Sequence, residues 1–234
     1  MLWKKGWYET RIRLLYVLAV LAVITVLTLG SPPPAAAGLG PVVGATTMPA
    51  MAAALLLAGA GVKTQLGGLQ RSKGLHGSMY YTLSLPVKRT RLFSVRVSLG
   101  LAETAGILAL TWSALWLVHR PIRLAIRLGA TPSDMFKQSV ITFFSAMAVY
   151  SLGVFFSAFL DEVYQHWATI FTVVGTIVIL NRVPLPAWMQ NFLVLSLASP
   201  LNTHTMPWTA MAVLLGLSGM LLLIALKIVR SLEY

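Results

Sequence analysis

Apolar runs long enough to cross a bilayer alternate with short polar intervals along nearly the whole chain. A hydrocarbon core of ~30 Å takes roughly 20 residues of helix, and about 17 are tolerated. Six runs reach or approach that length: 14–30, 42–62, 95–118, 139–160, 167–180 and 209–229. The pattern predicts an all-α, polytopic integral membrane protein of six transmembrane helices, forming a single domain over 1–234. The fifth run is the shortest, so its ends are expected to be covered by neighbouring protein or extended through Asn181 and Arg182. The first run resembles a secretory signal, with Lys4, Lys5, Arg11 and Arg13 before it and Ala35, Ala36 and Ala37 after it. The long basic leader and the second apolar run that follows at once favour a membrane span instead.

Composition strengthens this reading. The 234 residues are 57% hydrophobic and 10% charged, with mean hydropathy +0.79, whereas a soluble domain carries about a quarter charged residues. Little polar sequence remains for an extramembrane domain. Eighteen Lys and Arg against six Asp and Glu give a net charge of +12. These cations gather at the ends of apolar runs, where they encode topology rather than a nucleic-acid surface. With the N-terminus inside, thirteen cations fall on the cytoplasmic side and five outside. A cytoplasmic (inner) membrane location with both termini cytoplasmic is therefore expected. The discordant interval is "HRPIRLAIRLGATPSDMFKQ", 119–138, whose four cations face outward in this topology. A short interfacial helix, its arginines on headgroup phosphates, would reconcile it.

The longest polar interval, 63–94, lies on the cytoplasmic side. Lys88, Arg89 and Arg91 suit anchoring at the headgroups. Anchoring alone does not need about thirty residues, because connections between helices in bundles usually take about 2–8. A docking role for this segment is expected.

Chemistry-bearing motifs are sparse. Without cysteine there is no disulfide or thiolate site. The nearest string to a phosphate loop is "GAGVKT", 59–64, where Val62 separates the glycine from Lys63 and an apolar helix precedes it. His76, His119, His166 and His204 stand singly, so no metal site is expected. No serine lies in G-x-S-x-G. Glu103 is the one acid well inside a predicted span. A buried structural partner for Arg96 or a lysine stands beside a role in substrate or proton passage. Thr169, Thr172 and Thr176 recur on one helical face. They either line a polar path or bond back to their own helix carbonyls. Ala50, Ala54 and Ala58 give a small-residue stripe for close helix packing.

One ordered set of motifs goes further. "WYETRIR" precedes the first span, "TLSLPVKRTRLFSVR" the third, "FLDEVYQHW" closes the fourth, "SPLNTHTMPW" precedes the last, and "KIVRSLEY" ends the chain. In this order they resemble the permeases of type-2 ABC exporters. The resemblance implies an interfacial N-terminal helix, a cytoplasmic coupling helix between spans two and three, and a re-entrant region, here 183–202, cut by Pro184, Pro186 and Pro200. It implies that Gln70, Arg71, Lys73, Gly74, Ser78 and Tyr81 meet an ABC ATPase subunit, which would bind ATP and Mg while this chain carries no cofactor and is not itself an enzyme. A second permease subunit, identical or related, would complete the path. Members commonly carry acids before the glycine of the coupling segment, whereas this chain reads Gln70-Arg71-Ser72-Lys73-Gly74, so an ion pair made by those acids with the ATPase does not form here. The implied activity is ATP-driven export of a hydrophobic or amphipathic substrate by alternating access. Two other classes remain open: a non-transporting sensor or anchor, and an intramembrane lipid-modifying enzyme using Glu103 or Asp161.

Overall fold

The computed structural model describes residues 15, 18–19, 50–55, 57–58, 89–118, 126, 129–158, 160, 162–182 and 204–231. It is all-helical, with no strand among the described residues. Four long helices carry it: α1 (Arg89–Val118), α2 (Pro132–Ser157), α3 (Glu162–Arg182) and α4 (Trp208–Ser231). Residues 50–55 and 57–58 are helical too. Stretches of α1, α2 and α4 are long and apolar enough to cross a membrane. The expected N-terminal interfacial helix, most of the first span, the coupling residues 63–88 and the re-entrant region 183–202 lie outside the described residues.

Every one of these helices starts before the apolar run that predicted it. The first six residues of α1, 89–94, were expected in the polar interval 63–94 but are helical. Hydropathy marks where the bilayer begins, whereas a helix continues until a proline, glycine or cap stops it, and none intervenes after Pro86. At about 1.5 Å per residue α1 is roughly 45 Å long, so its first turns, with Arg89 and Arg91, outrun an apolar core of ~30 Å. The start of α2 likewise takes in 132–138, the end of the discordant basic interval. Thr131 and Asp134 form a reciprocal capping box there, with Pro132 in the first turn. The fifth run proves longer than its apolar part, since α3 extends through Asn181 and Arg182.

At the centre, α2 packs against α1, α3 and α4. A connection of only four residues, 158–161, reverses the chain from α2 into α3. By contrast α4 runs parallel to α2: Ala210 and Met211 near its start bury against Ile141 near the start of α2. The small-residue stripe is buried, with Ala50, Ala54 and Ala58 at 2% exposure or less. Ala58 lies where Gly153 of α2 leaves room; a Cβ on Gly153 would stand 2.5 Å from the Ala58 Cβ.

The outer surface has the character expected of a bilayer solvent. Val213, Leu217, Met220 and Leu223 of α4 are exposed, while Gln138, Thr142, Ser151 and Ser218 are buried. Water would penalise such a surface. Exposed aromatic side chains mark both ends of the bundle: Phe136 and Trp208 at the start of α2 and α4, Tyr164 and Trp167 at the start of α3. Trp167 also stacks on Phe171 at 5.7 Å.

Candidate functional site

A row of polar residues at separations of four, three and four runs up one face of α3: Gln165, Thr169, Thr172 and Thr176. The threonines do bond back to their helix. Each Oγ1 donates to the carbonyl four residues earlier: Thr169 to Gln165 at 2.8 Å, Thr172 to Ala168 at 2.7 Å and Thr176 to Thr172 at 2.7 Å. A back-bonded hydroxyl keeps acceptor capacity, so the row is satisfied internally yet polar outward. Its surroundings change along its length, because Gln165 and Thr169 are buried whereas Thr172 and Thr176 are exposed. Gln165 was not singled out in the sequence; its position one turn before Thr169 was the available signal. Its Nε2 donates at 2.8 Å to the carbonyl of Ala58. A buried amide left without such a partner costs about 1–3 kcal/mol.

Glu103 occupies a different seam. It is buried in the middle of α1, on the face that meets α2. Gly100, nearly one turn earlier, leaves the hollow that receives Tyr150: a Cβ there would lie 2.1 Å from the Tyr150 hydroxyl oxygen. That hydroxyl points at the carbonyl of Val97, at 3.5 Å. Glu103 and Tyr150 are both buried between α1 and α2. The threonine row and Glu103 are thus held by different contacts, and α1 and α3 share no substantial seam.

A third polar cluster ties the start of α2 to the approach to α4. Asp134 Oδ2 accepts from the Thr131 backbone N–H at 3.0 Å and the Thr131 hydroxyl at 2.7 Å, and meets His204 Nδ1 at 2.7 Å. Lys137 Nζ donates to Asp134 Oδ1 at 3.0 Å and to the His204 carbonyl at 2.7 Å. His204 holds a left-handed φ of 56°, a conformation disfavoured for a residue with a Cβ. The T-x-x-D spacing, 131–134, announces the cap in the sequence; the histidine seventy residues later is not announced by any spacing. Among the described residues no group of three or more His, Asp or Glu is placed to hold a metal ion.

Of the other sites expected from the sequence, Arg91 is exposed in the first turn of α1 and Arg89 begins that helix. Gln70, Arg71, Lys73, Gly74, Ser78, Tyr81, Lys88 and Asp161 lie outside the described residues. Comparison with protein-family models, with curated proteins and with solved structures finds no match to this chain.

Proposed function

We propose that the chain is the membrane-spanning permease subunit of an ATP-driven exporter, built of six spans and paired with a second permease and separate ATPase subunits. The observation that carries the reading is the ordered motif set centred on "TLSLPVKRTRLFSVR" together with the basic segment that precedes it. The disposition of the bundle ends supports it. Ala58, the end of α2, the start of α3 and the end of α4 with Lys227 and Arg230 share one end; Lys137 and Arg182 stand at the other. With α1 crossing opposite to α2, Arg89 and Arg91 join the first end. The interval between α1 and α2 adds Arg120, Arg123 and Arg127 to the other end, five cations in all, while the interval between residue 58 and α1 adds Lys63, Arg71, Lys73 and Lys88 to the first end, eight in all, and this excess favours the first end as cytoplasmic. ATP-driven closure of the partner subunits would then push on the residues near Gln70 to Tyr81, and the rigid helices would switch the path between inward and outward exposure.

The test is copurification in mild detergent followed by identification of the bound protein. An ABC ATPase is expected. Charge reversal at Arg71 and Lys73, or a bulky residue at Gly74, should weaken its binding at least tenfold, as loss of a desolvated charge pair costs about 2–5 kcal/mol. Reversal at Lys88 should spare it. Binding unchanged in both sets would leave the basic segment a topological anchor only.

A further inference from the structure

The outward side of α3 combines two kinds of group. Around the helix, at about 100° per residue, the order is Trp167, Phe171, Gly175, Ala168, Thr172 and Thr176. Trp167 and Phe171 are 55% and 68% exposed and stack on one another; Thr172 and Thr176 are exposed as well. Between the rings and the hydroxyls the surface is low, because Ala168 carries only a methyl group and a Cβ on Gly175 would meet nothing within 4 Å. A shallow groove therefore runs along α3, with aromatic rings on one rim and threonines on the other. Both rims are electron-rich. The Thr172 and Thr176 hydroxyls donate their protons at 2.7 Å to carbonyls of their own helix, so only oxygen lone pairs are left for an outside group. An aromatic face likewise presents the negative side of its quadrupole. The stretch 167–176 holds no charged residue.

We infer that this groove binds an organic cation with an apolar body, and that cationic amphiphiles are the exported class; the second half of the inference rests on the permease reading above. A cation is attracted both by the ring faces and by the hydroxyl lone pairs, and its apolar body lies on the alanine and glycine floor. An anion of the same shape would have to draw a hydroxyl proton off the helix carbonyl and would meet no cation along 167–176. The depth suits such a molecule. Thr172 lies five residues, roughly 8 Å, beyond Trp167, whose ring stands at the end of the bundle assigned to the cytoplasm. A cation held there lies just beneath the headgroups, with its body reaching towards Thr176, so the substrate enters from the inner leaflet.

The experiment compares tetraphenylphosphonium with tetraphenylborate, two probes of one shape and opposite charge. Each is titrated against the full chain in phosphatidylcholine nanodiscs, with empty nanodiscs subtracted. Saturable binding of the phosphonium and none of the borate is expected. The double variant Thr172→Val, Thr176→Val, which keeps side-chain shape and removes both oxygens, should weaken it at least tenfold, and Phe171→Leu at least threefold. Thr172→Ser with Thr176→Ser should restore wild-type binding. Should the valine pair fail to accumulate, Phe171→Leu and the serine pair are read by the same outcomes. Equal binding of both ions, or phosphonium binding unchanged in the valine pair and in Phe171→Leu, would overturn the inference. Binding of neither ion, as when a second copy covers this face, would overturn it too. The permease reading is tested apart from the site, because these titrations need no ATPase. With a copurified ATPase, the phosphonium should raise ATP turnover of the wild-type complex at least twofold and leave that of the valine pair unchanged. Binding without that rise overturns the substrate assignment and leaves the permease reading standing. A chain that binds the phosphonium and no ATPase sinks the permease reading and the substrate assignment, while the cation site remains.

Discussion

Two glycines six residues apart on α1 show how much a single missing side chain decides. Gly100 receives Tyr150 so closely that a Cβ would lie 2.1 Å from its hydroxyl oxygen and 2.7 Å from Cζ, whereas a Cβ on Gly106 meets nothing within 4 Å. Gly100→Ala must therefore expel or tilt a buried tyrosine ring, at a cost of about 1–3 kcal/mol. Gly106→Ala gains helix propensity, about 0.5–1 kcal/mol. Thermal unfolding in detergent should show the first variant melting below wild type and the second at or above it; equal melting would contradict the packing of α1 on α2. The sequence offers these glycines in the same apolar context. Their difference comes from a residue fifty positions away, which no local pattern carries. Gln165 was obscure for the same reason, since its partner Ala58 is distant in sequence.

At the scale of elements, periodic apolar runs foretold the existence of α1 to α4 and misjudged their starts. The apolar run marks the length in lipid, whereas the start of α2 is set by the capping box at Thr131 and Asp134, which lies outside the run that began at 139. The clasp beyond the cap was not legible, because His204 reaches Asp134 only once α4 lies parallel to α2. Asp134 is 2% exposed and serves both elements, while His204 is 55% exposed. Loss of one partner of a fully buried pair costs about 3–5 kcal/mol, and solvent at His204 and Lys137 reduces that. Asp134→Asn is expected to destabilise by about 1–3 kcal/mol, more than His204→Ala or Lys137→Ala alone, measured by unfolding in detergent. An Asp134→Asn variant as stable as wild type would show that the clasp contributes no net stability.

For the whole molecule, the chain reversal between α2 and α3 puts Ser133 and Tyr164 at opposite ends of the bundle, and both are exposed. The chain has no cysteine, so Ser133→Cys and Tyr164→Cys each carry one thiol. In intact cells or right-side-out vesicles an impermeant maleimide should label Ser133→Cys, and Tyr164→Cys only after permeabilisation. Labelling of both from one side would contradict a membrane crossing by α2. The exposed aromatic side chains at the two ends carry a further consequence. Thr169 lies beside Gly153, so Trp167 of α3 stands about level with residue 155 of α2, roughly 29 Å above Phe136 at 1.5 Å per residue. That separation equals the thickness of an average hydrocarbon core of ~30 Å. The two girdles are joined through one continuous central helix, so they cannot draw together or apart as lipids thin or thicken. Hydrophobic mismatch must then be met by tilting the bundle as a unit or by deforming the surrounding bilayer, which makes acyl-chain length a control on how this protein sits in its membrane.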